Sequence, residues 1–297
     1  MPRDRSTTLS DAVGRIEPGS TVAMGLALEH AIPFAVGHEL IRRKRDELTL
    51  VGPISDVLFD QLVGADLVDR IRAAWIGNAS AGSGYCFRRA VESGALDVED
   101  HSNLSLAMAL HAGSLGVSYL PTRSLLGSDL LSEESPFRET ECPFTGEQQV
   151  LVPAIEPDWA VVHAQRADRY GDAHCWGSLG VTEQAVGAAD RVLVTCEELV
   201  EPSAIKSDPD RVVVARDQVD AVVECPLGAH PSPLTGYYRR DHEAYFSYHD
   251  RTETPEGYSE WADEWVYGVD REEYVDRVDS ELRDLEKTVA AEVRYGR

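Results

Sequence analysis

A chain of 297 residues, 43 % hydrophobic and 27 % charged, can bury an ample core without disulfide staples, as one large α/β unit or two average domains. This composition excludes collagen, low-complexity disorder and a disulfide mini-protein. The 52 acidic residues outnumber the 28 basic ones, for a formal charge of -24, and so negative a field argues against a nucleic-acid backbone or an anionic lipid surface as the main partner.

In chain order, STVAMG (20–25) reads as a short strand after the Pro18-Gly19 turn, and Pro33 opens a helix to about Glu47. LTLVG (48–52) is a buried strand, residues 56–66 a helix, IRAAWIG (71–77) a strand and residues 85–94 a helix behind the Gly82-Ser83-Gly84 break. Ser102 or Asn103 caps a central helix to Gly116, with Leu104, Ala107, Met108, Leu110, Ala112 and Leu115 facing inward. SYLP (118–121), VLVPA (150–154), WAVVHAQ (159–165), RVLVTCEEL (191–199), VVVA (212–215) and VDAVVEC (219–225) are further strands, and residues 132–147 are a polar excursion. Runs apolar on both parities fit parallel strands buried on both faces, so the fold class is α/β, a three-layer α/β/α sandwich with a mostly parallel sheet. From about Ala229 the chain turns aromatic and aperiodic. Residues 241–297 hold 17 acidic and 7 basic residues, with Val278, Leu282, Leu285, Val289 and Val293 at helical spacing. The organisation expected is a domain over 1–240 and an acidic, partly helical extension over 241–297.

Lysine occurs only at Lys44, Lys206 and Lys287. An acidic, lysine-poor surface suits a salt-rich cytoplasm, where screening removes self-repulsion. No apolar run reaches about 18 residues and the first twenty residues lack an apolar h-region, so no membrane span or secretory signal is expected. Five cysteines with no CxxC pair fit reduced thiols rather than a zinc ribbon.

The chain holds no GxxxxGK[ST], GxSxG or HExxH. Ser80, Ser83 and Gly84 stand at the mouth of a helix, where N–H groups attract a carboxylate or thioester oxygen; a plain helix entry explains them too. Glu99, Asp100, His101 and Ser102 together offer either general acid/base groups or a helix cap. Arg123, Ser128 and Asp129 follow the strand SYLP, beyond whose carboxyl end a ligand can sit; an ion pair bracing the loop is the alternative. Gln165, Asp168 and Gly171 follow the strand WAVVHAQ, where Asp168 can hold a tight turn and Gly171 can adopt positive φ. His163, His174 and Cys175 match no common metal spacing, and no metal is expected.

HAQRADRYGDAHCWG, AWIGNASAGSGYCFRRAVESGAL, VEDHSNLSLAMALHAGSLGVSYLPTRSLLGSDLL and ECPLGAHPS resemble, in order, the blocks of the A-type (α) subunits of family I CoA-transferases, in the glutaconate CoA-transferase branch. The resemblance covers roughly residues 10–240. It implies a NagB/RpiA/CoA-transferase-like fold and a partner B-type (β) subunit, in an A2B2 or larger assembly. It implies coenzyme A as a substrate, with no cofactor bound permanently, and transfer of CoA between an acyl-CoA and a carboxylic acid by ping-pong chemistry. The attacking glutamate is then expected on the B-type partner, and no catalytic residue on this chain. Ser80, Ser83 and Gly84 would form the substrate-side loop, with Arg123, Ser128, Asp129, Gln165, Asp168 and Gly171 lining or bracing the cleft. The family also holds ring-opening hydrolases of CoA thioesters, for which Glu99 or Asp100 would be the base. A further alternative is a non-catalytic scaffold role. It is motivated by the loop Met24-Gly25-Leu26-Ala27-Leu28-Glu29-His30, with one glycine where relatives carry a GGxG-type turn.

Overall fold

The structure is a computed structural model in which residues 3–278 are described. Nine strands form the main sheet: β1 (Thr21–Ala23), β2 (Leu48–Ile54), β3 (Val68–Trp75), β4 (Asp97–Asp100), β5 (Trp159–Asp168), β6 (Ala173–His174), β7 (Arg191–Val200), β8 (Val212–Val214) and β9 (Val219–Glu224). The parallel order is β9-β7-β5-β1-β2-β3-β4, with β6 antiparallel to the end of β5 and β8 antiparallel to β6. Alternating side chains feed two cores. Val22, Leu50, Ile71, Trp159, Val161 and Leu193 pack with the helices Phe34–Arg43 and Leu58–Gly64. Ala23, Val51, Ala160, Val162, Val192 and Val194 pack with the helices Asn103–Ser114 and Thr182–Ala188. Both faces are therefore covered, which is why these strands are apolar on both parities.

Two features differ from the expectation. Tyr119–Thr122 and Gln148–Pro153 lie outside the main sheet. They pair antiparallel with Arg138–Glu141, a strand inside the polar stretch, in a separate three-stranded sheet. β4 has no counterpart among the expected strands because it is an edge strand whose one apolar residue is Val98; Asp97 and Glu99 flank it, as edge strands often carry charge. The chain beyond 240 is also bound into the first core. The helices His242–Arg251 and Pro255–Ala262 insert Tyr245, Tyr248, Tyr258 and Trp261 beside Phe34, Leu58 and Leu62. The predicted helical repeat beyond Val278 lies outside the described residues.

Because Trp261 is buried in that shared core, Trp261→Ala should cost about 3–5 kcal/mol. Chemical denaturation should show one transition shifted as a whole. A second transition, with the first unmoved, would mark residues 241–278 as a separate unit.

Candidate functional site

The strand order reverses between β1 and β5, with β2, β3 and β4 on one side and β7 and β9 on the other. In open α/β sheets ligands bind at that switch, beyond the carboxyl ends of the strands. Here the switch holds a small cavity of about 20 Å³, lined by Leu26, Ala27, His30, His163, Gln165 and Trp176. Gln165 donates from Nε2 to the carbonyls of Trp176 (2.9 Å) and Thr235 (3.2 Å), and accepts from the Trp176 N–H. His30 accepts the Thr235 N–H at Nε2, 2.9 Å away, and burial lowers its pKa to about 4. It is a neutral imidazole at physiological pH.

A strap of irregular chain, residues 226–241, runs across these strand ends. Ala229, Leu234 and Tyr238 of the strap pack in an apolar cluster with Val269 and Tyr274, and its polar groups meet buried carboxylates at the strand ends. Asp56, just past β2, is fully buried with φ +51°. Its Oδ1 accepts from Asn78 Nδ2 at 2.9 Å and its Oδ2 from Arg240 Nη1 at 2.8 Å. Arg240 also donates to Glu29 Oε2 at 2.9 Å. Burial pushes the Asp56 carboxyl above its ordinary range, and Arg240 and Asn78 oppose that. Asn78 Oδ1 accepts the N–H groups of Ser80 (2.9 Å) and Ala81 (3.2 Å), which shapes the tiny hairpin Gly77–Asn78 with Gly82–Ser83. Gly77 sits at φ +140° with the Gly82 carbonyl where a Cβ would stand, so only glycine fits there.

Gly84 follows this hairpin and opens the helix Tyr85–Ser93. Asp60 Oδ1 takes the Phe87 N–H at 2.6 Å, and Tyr248 Oη donates to Asp60 Oδ2 at 2.6 Å. A protein carboxylate thus already occupies one amide of that helix mouth. Ser80 is exposed and Ser83 half-buried on the braced hairpin.

Glu197, near the end of β7, is the counterpart on the other side of the switch. His163 Nε2 lies 2.8 Å from its Oε1, Tyr238 Oη donates to the same oxygen at 2.7 Å, and the Leu227 N–H donates to Oε2 at 2.8 Å. Burial pushes the Glu197 carboxyl up, but hydrogen bonding and charge from His163, with the other two donors, hold it below its ordinary value.

The remaining sequence-predicted residues fall into separate places. Arg123 pairs with Glu147 at 2.9 Å, both exposed, and Ser128 Oγ donates to the Leu125 carbonyl. Asp129 shares a groove of about 260 Å³ with Glu99, Asp100, Glu134 and Arg70. Burial pushes the Glu99 carboxyl up, but His101 at 3.0 Å and Arg72 at 3.3 Å hold it lower than usual. Asp168 Oδ1 accepts the N–H groups of Tyr170, Gly171 and Asp172, and Gly171 has φ +111° against Val219. His163 is held as above, His174 Nε2 lies 3.1 Å from the Ile205 carbonyl, and burial pushes the Cys175 thiol up to about 12. No metal-ligating group of three or more residues occurs among the described residues.

A family model described as coenzyme A transferase matches residues 6–225. The chain belongs to the coenzyme A transferase family. It is 38 % identical over 266 residues to the A-type subunit of 3-oxoadipate CoA-transferase from Pseudomonas knackmussii, covering 88 % of this chain and 93 % of that one. It is 31 % identical to the A-type subunit of glutaconate CoA-transferase from Acidaminococcus fermentans, with 91 % of each chain covered. The crystal structure of that organism's glutaconate CoA-transferase superposes with a TM-score of 0.89 at 30 % identity, over 95 % of both chains. One chain of a cholesterol ring-cleaving hydrolase from Rhodococcus jostii is 27 % identical, over 90 % of this chain and 93 % of that one.

Within this coenzyme A transferase fold, the sequence reading missed His30, Asp56, Glu197, Tyr238 and Arg240 as a group. The available signal was an acid closing an apolar run, as in LTLVGPISD and RVLVTCEEL.

Two outcomes follow from the strap. Arg240→Met leaves Asp56 buried without its cation, and should cost about 3–5 kcal/mol; adding Asp56→Asn should recover most of it, as read by chemical denaturation. Protons bind His30 in the unfolded chain below about 6.5 but in the folded chain only near 4. Its contribution is complete above that upper value and falls as pH drops through the window. Tm should therefore fall less steeply between those limits in His30→Gln than in the wild type.

Proposed function

We propose that this chain is the A-type component of a two-subunit enzyme that moves CoA from an acyl-CoA to a free carboxylic acid. The observation that carries the reading is the near-full-length likeness to CoA-transferase chains named as A-type subunits. The geometry supports it from another side. Asp56, Asp60 and Glu197 are each held on both carboxylate oxygens by groups of this same chain. That commitment supports placing the nucleophile on the B-type partner, as the family resemblance implies.

In the proposed sequence a partner glutamate attacks the thioester carbonyl, forms an acyl-glutamyl anhydride and expels the CoA thiolate. The thiolate attacks the glutamyl carbonyl of the anhydride, giving a glutamyl-CoA thioester and releasing the first carboxylate. The second carboxylate repeats the two steps in reverse order and leaves as its CoA ester, restoring the glutamate. This chain's part is to hold the substrate-side hairpin rigid through Asp56 and Asn78, and to offer Ser80, Ser83 and nearby N–H groups to oxygens where charge develops. Gln165 lines the cleft and the turn of Asp168 and Gly171 braces the end of β5, while Arg123, Ser128 and Asp129 stand apart from it. The hydrolytic alternative would ask Glu99 to act as base, yet His101 and Arg72 hold that carboxyl low and make it a weak one. The composition supports a salt-rich cytoplasm, and A2B2 is the simplest assembly.

The test is co-production with the B-type chain and an assay, in high salt, of CoA transfer from succinyl-, acetyl- or glutaconyl-CoA to free acids. Transfer is expected only with both chains present, with hydroxylamine or borohydride trapping a glutamate on the partner. Ser83→Ala should lower kcat about tenfold, the worth of one hydrogen bond. Hydrolysed or ring-opened product without CoA exchange, or a trapped carboxylate on this chain, would overturn the reading.

A further inference from the structure

Phe144 is 93 % exposed, at the tip of the hairpin between Arg138–Glu141 and Gln148–Pro153. A lone surface phenylalanine needs no explanation; this one is presented on a stiff pedestal. The Cys142 N–H donates to the Glu147 carbonyl at 2.8 Å and the Gly146 N–H to the Cys142 carbonyl at 2.9 Å. Pro143 fixes the backbone before the aromatic ring, Gly146 takes φ +71°, and Arg123 clamps Glu147 from the adjoining loop.

The direction of the hairpin follows from its register. Phe137 packs edge-on against His101, just past the C-terminal end of β4, at 5.3 Å between ring centroids. The strand Gln148–Pro153 descends toward the start of β5, so its antiparallel neighbour Arg138–Glu141 ascends. Three steps of about 3.3 Å each carry the tip roughly 10 Å beyond the level of His101. Phe144 therefore overhangs the end of the sheet where the candidate cleft lies. Three more exposed large apolar side chains sit at that end: Trp75 closing β3, Leu199 near the end of β7, and Leu104 in the first turn of the helix after β4.

We propose that Phe144 is the anchor by which this chain docks its B-type partner over the C-terminal ends of the strands. The inference rests on the two-subunit reading above. That reading seats the partner at this end, because the glutamate it assigns to the partner has to reach the cleft beyond the strand ends. A rigid aromatic tip at the rim loses little conformational freedom on docking, which is what makes an anchor residue effective.

The test is the dissociation constant of this chain for the B-type chain, measured in high salt by sedimentation for wild type, Phe144→Ala, Phe144→Trp and, as a control on another exposed ring, Phe246→Ala. The Phe144 ring is almost wholly exposed, so Phe144→Ala should keep the wild-type Tm. It should weaken pairing about 30-fold or more; Phe144→Trp and Phe246→Ala should pair like wild type. Transferase activity of Phe144→Ala should fall at low protein concentration and return when the partner is saturating. Wild-type pairing with equal pairing by Phe144→Ala would overturn the anchor alone. A kcat loss that persists at saturation with unchanged pairing would also overturn it, marking the tip as a lid on substrate. Failure of the wild type itself to pair would overturn the two-subunit reading and the anchor with it.

Discussion

Carboxylates buried where parallel strands end must be paired, and most of the architecture around the cleft answers that demand. Asp56 and Glu197 lie on opposite sides of the point where the strand order reverses, and an uncompensated buried charge there would cost several kcal/mol. One strap of irregular chain meets both. Arg240 reaches Asp56 and Tyr238 reaches Glu197. Ser232 bonds the Ile32 N–H and the Glu29 carbonyl, and Thr235 bonds His30 and Gln165. The helices beyond the strap pin it by burying Tyr245, Tyr248 and Trp261 in the main core.

This arrangement has a functional corollary. Asp56 serves two partners at once, the strap through Arg240 and the hairpin of residues 77–83 through Asn78. That hairpin thus inherits its rigidity from the far end of the chain. Preorganised donors are effective because they need no rearrangement as charge develops. The same pairing leaves these carboxylates committed, in keeping with the proposed reading that the reactive group comes from the partner. A braced aromatic tip at the same end of the sheet is consistent with a partner seated there.

The parallel strands were legible because burial on both faces leaves apolar runs such as VLVTC, and the helix Asn103–Ser114 because of its Ser102 cap, although Leu104 and Leu115, read as inward, are exposed and Leu106 and Ala109 are buried instead. The edge strand Asp97–Asp100 was not, since one valine among acids carries no hydrophobic signal. Tyr119–Thr122 and Gln148–Pro153 were recognisable as strands, but nothing local says that they leave the main sheet and pair with the polar Arg138–Glu141. The local roles at the site were the readable ones, such as the turn around Asp168. The pairing of Asp56 with Arg240 spans 184 residues and arises only when the strap crosses the sheet. Residue type and spacing therefore pointed to Ser80 and Ser83 without revealing what holds them.

Amide hydrogen exchange measures this dependence directly. In Arg240→Met compared with wild type, faster exchange is expected at Ser80 and Ala81, whose N–H groups bond Asn78, with the amides of β7 unchanged. Unaltered protection of Ser80 and Ala81 in a variant that had lost the Arg240 contact would contradict the dependence, and would show that the hairpin stands without the strap.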